Sequence, residues 1–154
     1  LPVGRASSAQ VAAQANTFVP QLTLHGRRIV IVDDDARVLA GLEALLTGWS
    51  AQIRAFSRVQ DCEAWARDCA AAEPSPDLAI VDYRVEDGRD GVQALQALRA
   101  RFGSGLPAIM VSGSTMSQVD ALAQEHNFHL LLKPVLPNKL RALIAFKLQP
   151  ELQK

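Results

Sequence analysis

The sequence predicts an α/β domain: a doubly wound, five-stranded parallel sheet with helices on both faces. Three observations predict it. Short apolar runs, most of them rich in β-branched residues, alternate strictly with stretches whose apolar residues recur at helical spacing. Several of those runs carry no polar alternation, the pattern of strands buried on both faces. Four of them stop abruptly at an Asp, Ser or Lys. Strand–helix alternation of this kind builds a parallel sheet with right-handed crossovers.

The elements follow in order. Arg28–Val32 is the first strand, and Asp33-Asp34-Asp35 ends it. Val38, Leu42, Leu45 and Trp49 stripe the first helix, with Gly48 near its stop. Ala51–Phe56 suits a second strand. Val59, Cys62, Ala66 and Cys69 mark the inner face of a second helix, closed by Pro74 and Pro76. Asp77–Val81 is the third strand, apolar after its first residue. A loop rich in charge and glycine runs from Asp82 to Gly91. Val92, Leu95, Leu98 and Phe102 stripe the third helix, Gly103–Pro107 turns, and Ala108–Val111 is the fourth strand. Met116–Glu125 reads as a short fourth helix and His129–Leu132 as the fifth strand. Lys133-Pro134 stops that strand, and Leu140, Leu143, Ile144 and Leu148 stripe the last helix. Residues 1–25 hold one basic and no acidic residue, with Pro2 and Pro20 at either end, and read as a linker with a loosely helical stretch near Ala9–Ala15. The domain proper spans 26–150, and 151–154 form a tail.

Composition narrows the function. Lys plus Arg and Asp plus Glu balance at 16 each, which argues against a basic nucleic-acid-binding surface. No apolar run approaches a membrane span, and no signal-peptide pattern is present. Cys62 and Cys69 lie on one helix face too far apart for a mutual disulfide, so they read as small buried thiols, consistent with a cytoplasmic location. His25, His126 and His129 lack metal-ligand spacing and read as surface or loop residues. Trp49 and Trp65 sit in helical patterns and read as packing residues.

Ligands bind open sheets of this class outside the carboxyl ends of the strands. There the first strand offers Asp33, Asp34 and Asp35, the third Asp82, the fourth Ser112 and the fifth Lys133. Clustered carboxylates repel, and such a site raises a pKa, admits water or binds a cation. All-oxygen donors favour a hard divalent ion such as Mg²⁺, which uses one or two carboxylates together with phosphate oxygens. Lys133 adds a fixed positive charge and Ser112 a hydrogen-bond donor. That set suits phosphoryl transfer, where positioning and charge neutralisation supply most of the catalysis. Asp82 stands apart from other acids until Glu86, which fits a nucleophile forming an aspartyl phosphate. Asp33 and Asp34 are adjacent and fit metal holders.

These residues carry a resemblance. Ile31-Val32-Asp33-Asp34, Ala79-Ile80-Val81-Asp82-Tyr83, Met110-Val111-Ser112-Gly113 and Leu132-Lys133-Pro134 resemble the signature of CheY-like response-regulator receiver domains, in order and in register from about Arg27 to Leu148. The resemblance implies the flavodoxin-like strand order 2-1-3-4-5, which is carried over from the family. It implies Asp82 as phosphoacceptor, and Mg²⁺ (with Mn²⁺ as an alternative) held by Asp34, Asp82 and the backbone carbonyl of Arg84, with Asp33 assisting through water. Lys133 would pair with phosphoryl oxygens, and Ser112 would hydrogen-bond them and couple the chemistry to the fourth-helix region. The Lys133–Pro134 bond is usually cis in this family, and Asp35 is expected to cap the first helix.

Three departures stand out. Leu130 replaces the family's usual aromatic switch residue three positions before the lysine. Val85-Glu86-Asp87-Gly88 replaces the usual Met-Pro loop. Arg84 and Ser114 occupy positions that tune phosphoryl lifetime in the family.

The amino-terminal Leu1-Pro2-Val3 resembles the exit of a histidine-kinase ATP-binding domain, and Leu132 to Arg141 resembles receivers at the carboxyl end of hybrid sensor kinases. The expected parent is therefore a hybrid histidine kinase, whose ATP-binding domain would precede the linker. No DNA-binding output domain is expected after Lys154. Expected partners are a phosphohistidine domain in the same parent chain and a histidine phosphotransfer protein, with no nucleic acid and no membrane contact. As an enzyme, the fragment would catalyse only its own phosphorylation and dephosphorylation. Two alternatives stay open: a phosphorylation-independent pseudo-receiver that binds proteins, and a phosphatase with an aspartyl nucleophile. The phosphatases usually carry a second Asp two residues after the nucleophile, where this chain has Arg84.

Overall fold

The computed structural model describes residues 24–86, 89–113 and 117–148. Strands β1 (Arg28–Val32), β2 (Gln52–Phe56), β3 (Leu78–Asp82), β4 (Ala108–Ser112) and β5 (His129–Leu132) form one parallel sheet in the order β2-β1-β3-β4-β5. Helices α1 (Ala36–Gly48), α2 (Val59–Asp68), α3 (Gly91–Phe102) and α4 (Ser117–His126) connect successive strands, and α5 (Pro137–Leu148) follows β5. The expected fold class and strand order are those observed.

Strand pleat decides which side chains meet which helices, because successive residues point to opposite faces. Ile29, Ile31, Leu78, Ile80, Ile109 and Val111 pack with Leu42 and Leu46 of α1 and with Leu140 and Ile144 of α5. Val30, Val32, Ala79, Val81 and Met110 pack on the other face with Val59 and Cys62 of α2 and Val92, Leu95 and Leu98 of α3. Two cores therefore flank one sheet. All five residues of both β3 and β4 are buried, which accounts for their unbroken apolar sequence.

Local signals set the helix ends. Asp35 caps α1 as expected: its Oδ1 accepts from the N–H of Arg37 at 2.9 Å and of Val38 at 3.4 Å. The left-handed residue after α1 is Ser50 (φ 74), two positions beyond Gly48. Trp65 packs between Phe56 and Phe102 at centroid distances of 5.6 and 5.3 Å, and Arg54 lies over its ring. Trp49 packs against the α1 side of the core. Both tryptophans thus serve packing. Arg99 of α3 donates to the carbonyls of Leu106, His126 and Asn127, tying the end of α3 to the turns before β4 and β5.

Several boundaries shift. In α1 the buried pair is Leu42 and Leu46, with Leu45 only half-buried. Leu24, placed in the linker by sequence, is 1% exposed, and its N–H donates to Trp49 O at 2.8 Å. Cys62 is buried, and burial pushes its thiol up to about 12, whereas Cys69 ends α2 half-buried. Both thiols are free. His129 opens β5 as the strand reading expects, but half-buried instead of on the surface; its ring meets Phe146 edge-on at 5.4 Å, and its Nδ1 is buried with no hydrogen-bond partner among the described residues. The loop after Asp82 contains a short antiparallel ladder, Arg84–Glu86 with Arg89–Asp90. The stretch near Ala9–Ala15, Asp87, Gly88, Ser114 and the 151–154 tail lie outside the described residues. No helix among the described residues is long and apolar enough to cross a membrane.

Candidate functional site

Strand register brings the site together. Val32 pairs with Val81, so Asp33 and Asp82 leave neighbouring strands at the same level. Asp82 pairs with Val111, one residue before Ser112, and Ser112 pairs with Leu132, one residue before Lys133. Backbone bonds carry the ladder past the strand ends. Asp33 N–H donates to Phe56 O at 3.1 Å, Tyr83 N–H to Val111 O at 2.8 Å, and Lys133 N–H to Ser112 O at 2.8 Å. The chemistry-bearing residues therefore sit on rigid backbone, not on free loops.

Asp33, Asp82 and Ser112 are buried, at 2%, 4% and 4% exposure, while Asp34 and Lys133 face outward. Lys133 Nζ donates to Asp82 Oδ2 at 3.1 Å. Asp33, Asp34 and Asp82 each offer a carboxylate oxygen, all within 4.8 Å of one another. At that separation each pair of charges repels by about 3 kcal/mol at an effective dielectric of about 20. Asp33 Oδ1 accepts the Asp35 N–H at 2.9 Å, which fixes its orientation. The Lys133–Pro134 peptide bond is cis.

The electrostatics follow from crowding and burial. Desolvation and the Asp82 charge outweigh the Asp35 hydrogen bond and Lys133, raising Asp33 to about 6. Asp34 is raised by desolvation and by Asp82. Desolvation pulls Lys133 down, but its hydrogen bond to Asp82 and the three carboxylates outweigh it, so the ammonium is held more firmly charged than usual. Three carboxylates facing one ammonium leave an excess of negative charge among all-oxygen donors. That donor set fits a hard divalent cation better than any soft metal.

Four residues named from sequence, Asp33, Asp34, Asp82 and Lys133, are thus brought together, and Ser112 stands at the adjoining strand end. The backbone of Arg84 lies in the short ladder that follows Asp82, opposite Asp90.

Comparison with known proteins agrees with this geometry. Residues 29–145 match the family model described as the response regulator receiver domain. The chain belongs to that family. Two-component response regulators from Oryza sativa subsp. indica and subsp. japonica are each 29% identical over 119 residues, covering 75% of this chain and 32% of theirs. The chain thus spans about a third of the length of these curated relatives. A CheY-like receiver domain protein from Methanospirillum hungatei JF-1 superposes with a TM-score of 0.70 at 23% identity, covering 82% of this chain and 97% of its own. The signal receiver domain of a modulated diguanylate cyclase from Desulfovibrio desulfuricans G20 gives 0.67 at 25% identity, covering 82% and 98%. As a receiver domain of the two-component response-regulator family, the chain has the fold and the acidic rim expected from its four motifs.

One residue at the site was not singled out from sequence as anything but the end of a loop. Gly91, the first residue of α3, lies hard against the backbone of Asp82. Its only sequence signal is a glycine placed where a helical stripe begins.

Proposed function

We propose that this receiver domain accepts a phosphoryl group on Asp82 and signals by the conformational change that follows. The observation that supports this most directly is the Asp82–Lys133 pair at 3.1 Å, set beside Asp33 and Asp34 at the carboxyl rim of the sheet. A carboxylate oxygen of Asp82 attacks the phosphorus of a phosphohistidine. A P–O bond forms as the P–N bond breaks, and the imidazole leaves with the bonding pair and then takes a proton. Lys133 is placed to follow a phosphoryl oxygen as charge shifts onto it, and Ser112 to donate to another. Asp33, Asp34, Asp82 and the carbonyl of Arg84 would hold Mg²⁺ or Mn²⁺, which supplies charge neutralisation for the phosphoryl oxygens when bound. In hydrolysis, water attacks the phosphorus, the P–O bond to Asp82 breaks, and inorganic phosphate leaves as Asp82 returns to a carboxylate.

The partner is a histidine kinase phosphohistidine domain, with a histidine phosphotransfer protein as a second acceptor. The parent is a hybrid sensor kinase, and the compartment is cytoplasmic. Leu130, half-buried on β5, takes the place of an aromatic reporter, so the change at Ser112 is transmitted without an aromatic ring swinging inward.

Incubation with Mg²⁺ and acetyl phosphate, followed by intact-mass measurement, tests the reading. One added phosphoryl group is expected, absent with EDTA and absent in Asp82→Asn. No mass gain in the wild type, even with its cognate kinase, would make the chain a pseudo-receiver. Turnover of unrelated phosphomonoesters would make it a phosphatase. The gene sequence upstream of Leu1 tests the parentage, since a hybrid kinase encodes an ATP-binding module there.

A further inference from the structure

We infer that Gly91 is a positioning residue for the acceptor: the missing side chain at the start of α3 sets where Asp82 stands on the rim. The inference rests on the reading of Asp82 as phosphoacceptor.

Glycine is usually kept for one of two reasons, a left-handed backbone or a close approach. The first does not apply. Gly26 and Gly103 have φ of 80 and 119, whereas Gly91 is not left-handed. The second applies strongly. A Cβ at Gly91 would overlap the carbonyl oxygen of Asp82 and come within 2.7 Å of both Met110 Sδ and Val81 Cγ1. Among the described residues, a Cβ at Gly41, Gly48, Gly105 or Gly113 would meet nothing within 4 Å.

The three clashes are not equivalent. Met110 Sδ lies near the end of a flexible side chain and can give way. The Asp82 carbonyl is the backbone of the nucleophile itself and moves only if the nucleophile moves. The excursion that starts at Asp82 is also closed at this point. Gly91 N–H donates to Tyr83 O at 2.7 Å, and Tyr83 N–H is in turn bound to Val111 O at 2.8 Å. Arg84 comes next and lies opposite Asp90, the residue before Gly91. A methyl group at Gly91 must therefore displace α3, the strand exit, or both. Asp33, Asp34 and Lys133 ride on β1 and β5 and do not follow that displacement. The register of Asp82 against them is lost, and with it the spacing of the carboxylate cluster.

The test compares wild type, Gly91→Ala and Leu98→Ala. Leu98 is fully buried on the same helix but away from the rim, so its truncation destabilises without touching Asp82. Three quantities are read at a temperature where every variant is folded: urea stability, the Mg²⁺ concentration that half-saturates binding in a calorimetric titration, and the rate of mass gain with acetyl phosphate. Both variants lose stability. Only Gly91→Ala should weaken Mg²⁺ half-saturation by about 10-fold or more, the size seen when a group supporting metal ligands is disturbed, and slow phosphorylation with it. If Gly91→Ala does not fold, Gly91→Ala with Met110→Ala is compared with Met110→Ala alone, which relieves the sulfur clash and keeps the carbonyl clash. The inference is overturned if the Gly91 variant binds Mg²⁺ and takes phosphate like its reference, or if Leu98→Ala impairs both equally. A wild type that takes no phosphoryl group overturns the acceptor reading as well.

Discussion

Replacing Asp33 by Asn should stabilise the metal-free domain at neutral pH. Asp33 is 2% exposed and shares a rim with two other carboxylates. Burial and the Asp82 charge raise it from 3.8 to about 6. A carboxyl that titrates higher in the folded chain than in the unfolded one favours folding only while protonated. That contribution is complete below about pH 3.8, fades as pH rises through about 6 and is absent above it. The difference between 3.8 and 6, at about 1.4 kcal/mol per pH unit, sets a ceiling of about 3 kcal/mol on the gain from a side chain that never ionises. Asn keeps the Oδ1 that accepts the Asp35 N–H, so the turn into α1 retains its hydrogen bond. Urea denaturation of both proteins in EDTA, at pH 7.5 and pH 4, measures the effect. The variant should be the more stable at pH 7.5, and the gap should close at pH 4. Saturating Mg²⁺ should shrink or invert the gap, because the wild type then gains more from the ion. A gap that is absent at pH 7.5, or equal at the two pH values, would refute the assignment of Asp33 as a buried, repelled carboxylate.

Three more outcomes follow from the same structure. Lys133→Met removes the ammonium 3.1 Å from Asp82 and should cut the rate of phosphoryl uptake by about 10²-fold or more, with circular dichroism unchanged. Leu46→Ala should cost about 2–5 kcal/mol in urea denaturation, and Leu45→Ala distinctly less, because only Leu46 is fully buried. Ser50→Gly should gain about 1 kcal/mol, since Ser50 holds a left-handed φ of 74 that costs a side-chain-bearing residue energy.

The strand ends were legible because sequence and structure share a discontinuity there. An apolar run such as Ala79-Ile80-Val81 can stop at Asp82 only where the chain leaves the core. Parallel register then aligns those stops on one edge, so the rim could be assembled from order alone. The roll of α1 was not legible. Leu45 and Leu46 both sit at helical spacing from Leu42, and which one turns inward depends on the angle at which the helix meets the sheet. Leu24 escaped for another reason: Leu22 and Leu24 alternate with Gln21, Thr23 and His25 over too few residues to read as an element, and the backbone partner of Leu24 is the distant Trp49. Arg99 was not singled out, because its carbonyl partners lie 7 to 28 residues away in sequence. The closeness of Gly91 to Asp82 is likewise a tertiary fact, set by how α3 seats on β3.

The Arg99 clasp bears on how the domain can move. Its guanidinium holds the carbonyls of His126 and Asn127 at the carboxyl end of α4, and that of Leu106 before β4. A slide of α4 along its axis would have to break the bonds to His126 and Asn127, while the bond to Leu106 would still anchor Arg99 to the turn before β4. The carboxyl end of α4 is thus tethered through one side chain to both α3 and the turn before β4. Arg99→Ala would remove that tether and part the carboxyl end of α4 from α3.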